Sequence, residues 1–428
     1  MSNKDWGFAT KAIQAGYNPK PGDARILPIY QSTTFYYDDA DHVAGLFDLE
    51  IPGHMYSRIS NPTVEAFEEK VAALEGGVGA LATSSGQAAA TIAILNICSA
   101  GEHFVALSTL YGGTYTLFSV ILKKLGIDVT FIRPDADEAE IEKAFRPNTK
   151  ALYAETIGNP GLNVLDFEKY SKIAATNGVP LIVDNTFPTP YLCRPFEHGA
   201  NIVLHSTTKY IDGQARTVGG VIVDGGNFNW DNGKFPGLTE PDPAYHGMEY
   251  CENFGDLAYI TKARVQFMRD LGAVMTAQVA FTLHMSLETL GLRMDRHSAN
   301  ALQLAEYLKN NQHVEWVNYP ALKGNDYYEL SQKYLPLGCS GMLTFALKGG
   351  STSAKKFINN VNLAALVVHM GDTRTSILHP ASMTHRQLSE AEQIASGVSP
   401  ELIRVSVGIE DIGDIINDFE QAINKVLA

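Results

Sequence analysis

Cysteine is scarce in this chain of 428 residues. The four cysteines are Cys98, Cys193, Cys251 and Cys339. They lie far apart, and their spacing matches neither a metal-ligand pattern nor a disulfide framework. Because proteins without disulfides are typical of reducing compartments, we expect a cytoplasmic protein. His379 and His385 fit no common zinc pattern and have no acidic or cysteine partner nearby, so we also expect no metal site.

Basic residues are fewer than acidic residues in this chain. The chain has 33 lysine and arginine residues against 47 aspartate and glutamate residues, which gives a formal net charge of −14. Because no dense basic cluster is present, we expect no nucleic-acid partner and no anionic membrane partner. No apolar run is long enough to cross a bilayer, and the first residues lack the apolar region of a signal peptide. We therefore expect no membrane span.

The remaining composition is that of a globular protein, with 45% hydrophobic residues, and the length indicates two or more domains. Short apolar runs alternate with helical stretches through the first half of the chain. The predicted strands are 79–84, 103–108, 128–133, 151–156, 181–185, 201–206 and 217–224. The predicted helices are 63–75, 87–98, 114–125, 138–145 and 166–176. This alternation predicts an α/β fold with a mostly parallel sheet covered by helices on both faces.

The chain divides into three predicted segments. Residues 1–62 carry many aromatic side chains but little periodicity, which predicts an N-terminal arm that contacts a neighbouring subunit. Residues 63–275 form the predicted large domain, and 276–428 form a smaller C-terminal α+β domain. The change of domain falls inside a helical stretch that runs from about residue 256, breaks near Gly291 and continues to residue 308.

Three shorter features complete this outline. Residues 225–250 are rich in glycine, asparagine and proline and predict a long loop, which is uncommon unless it has a function. Residues 342–347 and 402–407 read as strands of the small domain. The amphipathic stretch 412–427 predicts a final helix docked on that domain.

Two residues at strand ends suggest the chemistry. Lys209 follows the apolar stretch 201–204 and a run of hydroxyl side chains, and Asp184 ends the preceding strand. Each alone could be a surface charge or a loop cap. Ligands of parallel sheets collect at the carboxyl ends of the strands, where both residues are expected. Pyridoxal phosphate needs an aspartate that keeps its pyridine nitrogen protonated and a lysine that carries its aldehyde as a Schiff base. The pair therefore predicts this cofactor.

Other polar groups are expected at the same sheet edge. The turn 84–87 joins a strand to the start of an alanine-rich helix, which makes it a candidate phosphate cradle, although an ordinary helix cap would look the same. Ser206 and Thr208 could add hydroxyl donors from the other side. Tyr111 follows a strand and could stack on a planar cofactor and pass a proton, or it could simply pack in the core.

Arg404 interrupts the apolar strand 402–407. An arginine on a half-buried strand needs an anion, and its planar fork suits the carboxylate of a substrate. An internal salt bridge is an equally good interpretation. Arg374 is a rival, but it lies in a predicted loop, where arginines are often solvated.

With these residues in hand, the chain resembles the Cys/Met-metabolism family of pyridoxal-phosphate enzymes over essentially its whole length. In the first half, the matching motifs are Tyr56-Ser57-Arg58, Asn61-Pro62-Thr63, Ser84-Ser85-Gly86-Gln87 and Leu110-Tyr111-Gly112-Gly113. The later ones are Glu155-Thr156-Ile157-Gly158-Asn159-Pro160, Val183-Asp184-Asn185-Thr186, Ser206-Thr207-Thr208-Lys209-Tyr210 and Leu402-Ile403-Arg404-Val405-Ser406-Val407-Gly408. As an ordered set these motifs are highly specific.

The resemblance implies the aspartate aminotransferase-like fold (fold type I) and a role for each matching residue. Lys209 is implied to form the Schiff base, Asp184 to meet the pyridine nitrogen and Tyr111 to stack on the ring. These three are the implied catalytic residues. The implied cofactor-binding residues are Tyr56, Arg58, Ser85, Gly86, Gln87, Tyr111, Asp184, Thr186, Ser206, Thr208 and Lys209. The implied substrate-binding residues are Tyr56, Asn159 and Arg404.

The resemblance also implies the class of reaction. The insertion 228–247 and the run 371–375 resemble family members that convert O-acetyl-L-homoserine and sulfide, or a thiol, to homocysteine in methionine biosynthesis. A methionine γ-lyase or a cystathionine γ-synthase reaction is the alternative. Methionine γ-lyases usually carry cysteine where this chain has Gly113, which counts against that activity.

The resemblance finally implies an assembly. Tyr56 and Arg58 look like the pair that reaches into the phosphate site of a neighbouring subunit. An obligate dimer is therefore expected, most simply within a homotetramer that is a dimer of dimers with shared active sites.

Overall fold

A computed structural model describes residues 6–384, 386, 393 and 397–427. Residues 1–5 and His385, which entered the sequence argument, lie outside the described residues. Within the described residues, none of the helices combines the length and apolar character that crossing a membrane would require. The same residues contain no cluster of histidine, cysteine and acidic side chains that could hold a metal ion.

A seven-stranded sheet organises the first two thirds of the chain. Its strands are β1 (Gly79–Thr83), β2 (His103–Leu107), β3 (Asp128–Ile132), β4 (Thr149–Glu155), β5 (Leu181–Asp184), β6 (Ile202–His205) and β7 (Gly220–Asp224). They lie in the order β1-β7-β6-β5-β4-β2-β3. β7 runs antiparallel to both of its neighbours, and the other six strands are parallel to one another. The predicted mostly parallel sheet is thereby confirmed.

Helices cover both faces of this sheet because its strands are apolar on both sides. The helices up to β7 are α1 (Phe8–Gln14), α2 (Ala40–Phe47), α3 (Pro62–Glu75), α4 (Gly86–Leu95), α5 (Gly112–Thr116), α6 (Glu138–Ala144), α7 (Phe167–Thr176) and α8 (Thr189–Leu192). Alternate residues of one strand enter two different core clusters, as Val183 and Ile182 of β5 do. Strands buried on both faces are typical of parallel sheets.

The helix predicted to start at residue 63 is present as α3, and residues that favour helix ends lie at both of its ends. The side chain of Asn61 accepts a hydrogen bond from the N–H of Thr63 at 3.0 Å, and Pro62 occupies the first turn. Gly76 ends the helix with a φ of 85°, a left-handed conformation that glycine adopts without a steric cost. The helix begins at Pro62, one residue before its predicted start at 63.

The structure corrects the path between residues 250 and 310. After α9 (Pro236–Thr239), the short helices there are α10 (Tyr250–Phe254), α11 (Ala258–Lys262) and α12 (Arg269–Leu271), with a π-helix at Ala263–Met268. The chain then breaks at Gly272, not first at Gly291, because Gly272 takes a φ of 72°. Thr276 caps the next helix, α13 (Ala277–Leu287), and α14 (Leu290–Lys309) follows. The predicted single break near Gly291 is therefore wrong.

A second sheet of five strands follows. Its strands are β8 (Val314–Asn318), β9 (Met342–Leu347), β10 (Ala365–Leu366), β11 (Ser376–Leu378) and β12 (Ile403–Ser406), in the order β10-β11-β12-β9-β8. The helices of this region are α15 (Tyr328–Tyr334), α16 (Gly350–Ile358) and α17 (Ile412–Leu427). One core cluster extends from the large sheet into this region. The proposed boundary between residues 275 and 276 stays a prediction.

Three phenylalanines join α16 and α17 to the second sheet. The ring centroids of Phe357 and Phe419 lie 5.2 Å apart, and those of Phe345 and Phe357 lie 5.5 Å apart. All three side chains are fully buried. The amphipathic stretch 412–427 therefore docks as its pattern predicted.

We predict that Phe419→Ala lowers the free energy of unfolding by about 3–5 kcal/mol, because it removes a buried ring and leaves a cavity. Urea unfolding followed by tryptophan fluorescence would measure the loss. Glu420→Ala is the control, because Glu420 is the exposed neighbour on the same helix. Its effect should stay within about 0.5 kcal/mol. Equal effects of the two changes would contradict the proposed docking.

Candidate active site

The carboxyl ends of the parallel strands meet at one cavity of about 200 Å³. Its lining residues are Ser85, Gly86, Gln87, Tyr111, Thr114, Glu155, Ile157, Asn159, Asp184, Thr186, Phe187, Ser206, Thr208, Lys209, Val218 and Met370. Most of the residues predicted to bind a cofactor therefore share one cavity. They lie at the ends of four strands. The first and the last of these residues, Ser85 and Lys209, are more than 100 residues apart in the sequence.

Lys209 lies in the turn after β6. Its N–H donates to the carbonyl of Ser206 at 3.2 Å, and its own carbonyl accepts from the N–H of Gly213 at 2.8 Å. Its side-chain amine has no ion-pair or hydrogen-bond partner among the residues that the structure describes. Burial, helped by the charge of Arg404, lowers the pKa of this amine to about 8. The amine therefore loses its proton, and becomes nucleophilic, at a lower pH than an ordinary lysine does.

Asp184 ends β5 beside Lys209. The N–H of Thr186 donates to its Oδ1 at 2.9 Å. Burial raises the pKa of this carboxyl group, while the hydrogen bonds from Thr186 oppose the shift. A partly buried carboxylate that forms no ion pair among the described residues calls for a positively charged or donor group from a ligand. The cavity next to Asp184 is where such a group can reach it.

The start of α4 forms a cradle against the turn after β6. The Ser85 Oγ accepts from the N–H of Ala88 at 3.1 Å, so Ser85 is the helix cap. A Cβ atom at Gly86 would lie 2.6 Å from the Cβ of Ser206, and one at Gly220 would lie 2.2 Å from the carbonyl oxygen of Ser85. Only glycine fits at these two positions. The exposed end of the helix dipole and its N–H groups suit a phosphate.

Thr208 and Thr186 are already engaged within the chain. The hydroxyl of Thr208 accepts from the N–H of Gly219 at 3.1 Å and lies 3.2 Å from the carbonyl oxygen of the same residue. The Thr186 Oγ1 accepts from the N–H of Ser206 at 2.8 Å. Both threonines line the cavity, and both also fix the backbone that surrounds it.

Tyr111 lies at the mouth of the cavity, where half of its surface is exposed. Its N–H donates to the Glu155 Oε1 at 2.7 Å. Gly113 packs under the ring, because a Cβ there would lie 2.5 Å from the ring edge of Tyr111. The interpretation of Tyr111 as core packing is wrong, since the ring faces the cavity.

Arg404 lies on β12 behind the cavity wall. Its side chain is buried, and its Nη1 donates to the Oδ1 of Asn159 at 3.2 Å. No carboxylate of the described residues forms an ion pair with it, which removes the internal salt bridge for that part of the chain. Burial lowers the pKa of this guanidinium to about 10. Arg374, the rival, instead pairs with Asp372 at 2.8 Å on the surface.

Tyr56 and Arg58 do not reach this cavity. They line a separate depression together with other residues of the arm and with residues 274–278 at the start of α13. The guanidinium of Arg58 lies 5.4 Å from the centroid of the Tyr56 ring and donates to the carbonyl of Arg269 at 2.5 Å. The structure of one chain thus separates these two residues from the other predicted site residues. That these two residues reach into the phosphate site of a neighbouring subunit stays a prediction.

Several cavity residues received no role from the sequence. Glu155 ends β4 as Asp184 ends β5, so the rule that selected Asp184 could also have selected Glu155. Met370 lines the cavity from the region of the second sheet, and no local pattern indicated it. Gly371 takes a φ of 77°, and a Cβ there would lie 2.7 Å from the N atom of Tyr210 and 3.0 Å from the carbonyl carbon of Lys209.

We predict that Gly371→Ala displaces Lys209, because the added methyl group meets the backbone of the residues that position the amine. Amine-directed labelling of the apoprotein near pH 8, followed by mass spectrometry, would detect a changed reactivity of Lys209. Gly350→Ala is the matched control: its φ is also positive, 66°, but a Cβ there meets nothing within 4 Å. Both changes should lower stability, and equal labelling of Lys209 in the two variants would refute the contact argument.

Residues 9–424 match the family described as Cys/Met metabolism PLP-dependent enzyme. The chain is 48% identical over 427 residues to an O-acetyl-L-homoserine sulfhydrylase of Leptospira meyeri, covering 97% of this chain and 96% of the relative. It is 47% identical over 420 residues to a homocysteine synthase of Schizosaccharomyces pombe, covering 97% and 98% of the two chains.

A solved structure gives the same result. A Campylobacter jejuni protein assigned as an O-acetylhomoserine (thiol)-lyase superposes with a TM-score of 0.95 at 35% identity. The match covers 98% of this chain and 100% of that one, whose crystal structure contains N'-pyridoxyl-lysine-5'-monophosphate. The chain therefore belongs to the Cys/Met metabolism family of PLP-dependent enzymes.

Proposed function

We propose that this enzyme converts O-acetyl-L-homoserine and sulfide to L-homocysteine and acetate, a replacement at Cγ on the route to methionine. The names of the two sequence relatives support this reaction. The observation that carries the proposal is the buried amine of Lys209, which has no partner in the described part of the chain and shares a cavity with Asp184.

Pyridoxal phosphate fits the groups present. The close approach of Gly86 to Ser206 leaves a cradle of N–H and hydroxyl donors for its phosphate. The carboxyl group of Asp184 offers an acceptor for the protonated pyridine nitrogen, and Lys209 offers an amine for the aldehyde. When bound, the cofactor supplies an electron sink that acidifies the Cα–H of an amino acid.

Lys209 is the proposed base. With the amino acid bound, its free Nζ takes the proton from Cα, gives that proton up within the cavity before it takes one from Cβ, and returns a proton to each carbon as the steps reverse. The lowered pKa of its amine suits this exchange at neutral pH. Tyr111, at the cavity mouth, assists the departure of acetate from Cγ, and sulfide or a thiol forms the new C–S bond there.

Arg404 and Asn159 are the proposed binding groups for the substrate carboxylate. The guanidinium is buried without a carboxylate partner in the described residues, and Asn159 holds one of its nitrogens. An incoming carboxylate would complete the pairing that this buried cation lacks. Tyr56 would add a contact from the neighbouring subunit.

We also propose a cytoplasmic homotetramer built as a dimer of dimers. Tyr56 and Arg58 lie outside the cavity of their own chain, as a shared site requires. The arm also exposes apolar side chains that a neighbouring subunit could cover, among them Ile26, Tyr30 and the almost fully exposed Tyr36. The four cysteines are free thiols, which agrees with a reducing compartment.

We predict that Lys209→Ala abolishes homocysteine formation from O-acetyl-L-homoserine and sulfide, with a loss of at least about a thousandfold, because no other amine of the cavity can replace the base. The wild-type protein should yield homocysteine in excess over 2-oxobutyrate and ammonia. Excess 2-oxobutyrate would indicate a γ-lyase, and a preference for cysteine over sulfide would indicate a cystathionine γ-synthase. Near-normal turnover of the variant would overturn the assignment.

Lys262→Ala is the matched control. Lys262 is also a buried lysine whose pKa is lowered to about 8, but its Nζ donates to the carbonyl of Asn96 at 2.7 Å, away from the cavity. The change should cost stability and leave a pyridoxyl group on the Lys209 peptide after borohydride reduction.

We predict that mixing Arg58→Ala chains with Lys209→Ala chains restores activity. In a two-fold dimer with shared sites, one site of each mixed pair regains both residues, so random mixing should recover about a quarter of wild-type activity. The assay is turnover after the two inactive variants are unfolded and refolded together. Lys209→Ala mixed with Asp184→Ala is the control, since both residues line the same cavity of one chain. Failure of the first mixture to exceed the control would refute the shared site.

A further inference from the structure

Glu155 places a second carboxyl group at the cavity, next to Asp184. It ends β4 in register with Asp184 at the end of β5. Neighbouring strands lie about 4.8 Å apart, so two carboxyl groups at paired positions are close to each other. Glu155 is buried and Asp184 is partly buried, and no cation of the described residues forms an ion pair with Glu155. A buried acidic side chain lining an active site without a salt bridge has a cost that a purely structural residue would avoid.

The contacts of Glu155 join both walls of the cavity. Its Oε1 accepts from the N–H of Tyr111 at 2.7 Å. The backbone N–H of Asn159 also stabilises its charged form, and the side chain of Asn159 accepts from Arg404 at 3.2 Å. One carboxyl group therefore touches the segment that carries the stacking tyrosine and the segment that carries the amide beside the buried arginine.

We propose that Glu155 is a positioning residue, whose neutral carboxyl group holds Tyr111 and the Asn159–Arg404 pair in place while Asp184 remains the carboxylate that meets the cofactor. This inference rests on the proposed function. Glu155 does not contact the reacting atoms. Its acceptor oxygen, and not a negative charge, positions Tyr111 and Asn159.

The surroundings explain why Glu155, and not Asp184, is the neutral member of the pair. Two like charges at this separation repel strongly in a buried site, so one group keeps its proton. Burial and the nearby Asp184 raise the pKa of Glu155 well above its usual range. Asp184 has hydrogen bonds from both the N–H and the hydroxyl of Thr186, which favour its charged form. The phenol of Tyr153 also lies near Glu155, and it supplies no positive charge.

Two substitutions separate the acceptor from the charge. Glu155→Gln keeps a carbonyl oxygen for the N–H of Tyr111 and cannot be charged. Glu155→Ala removes the acceptor. We expect the glutamine variant to bind pyridoxal phosphate as apoprotein within about twofold of wild type, and the alanine variant to bind it about tenfold more weakly, the size of one lost hydrogen bond. Fluorescence titration of the apoproteins measures this affinity without turnover.

The kinetic constants provide a second readout. In the alanine variant, KM for O-acetyl-L-homoserine should rise about tenfold, since Asn159 and Arg404 lose their support, and the glutamine variant should restore it. If the glutamine variant loses as much cofactor affinity and raises KM as much as the alanine variant, the proposal that Glu155 acts in its neutral form is wrong. An alanine variant with unchanged cofactor affinity and unchanged KM would overturn the positioning role.

Glu68→Gln and Glu68→Ala are the matched controls. Glu68 is a buried carboxyl group on α3 that accepts from the N–H of Ala82 at 2.7 Å, but it pairs with Arg264 and does not line the cavity. These changes should lower thermal stability without changing the affinity of the apoprotein for pyridoxal phosphate.

Borohydride labelling distinguishes the two possible failures. If wild-type protein acquires no pyridoxyl group on the Lys209 peptide, the proposed function fails. If it does, and the Glu155 variants behave like wild type, only the role of Glu155 fails.

Discussion

The proposed active site depends on enclosing an amine and two carboxyl groups at one sheet edge without ion pairs among the described residues. Glu155 and Asp184 end the neighbouring parallel strands β4 and β5 in register, so strand spacing brings these two carboxyl groups together. Lys209 lies in the turn after β6, the next strand of the sheet. Burial lowers the pKa of the amine and raises those of both acids. We propose that a ligand with a cationic ring nitrogen, an aldehyde and a phosphate stabilises these groups.

The rest of the fold maintains this edge. The antiparallel strand β7 enters beside β1, and its first residue, Gly220, allows the backbone to pass within contact of Ser85. The second sheet supports the site from the other side. Gly371 packs on the backbone of Lys209 and Tyr210, and its N–H donates to the Ser406 Oγ at 2.9 Å. Small residues at these positions let separate parts of the chain approach closely.

Sequence reasoning succeeded where a local pattern decides the outcome. The seven strands of the large sheet were predictable because each is a short apolar run, and the start of α3 was predicted to within one residue. Sequence reasoning failed between residues 250 and 310, where it predicted one long helical stretch. A π-helix and the left-handed Gly272 divide that stretch into shorter helices. Hydrophobic periodicity does not distinguish a continuous helix from several short ones that share a buried face.

The sequence by itself determined the large parallel sheet, the strand-end positions of Asp184 and Lys209, and the family, because each depends on residues that are adjacent in the chain. Only the tertiary structure decided which residues share the cavity. It separated Tyr56 and Arg58 from Lys209 and paired Glu155 with Asp184. It also left Arg404 without an ion pair among the described residues, where the sequence had allowed either an internal salt bridge or a substrate carboxylate. Those outcomes depend on strand order and on contacts between distant segments, which local patterns do not encode.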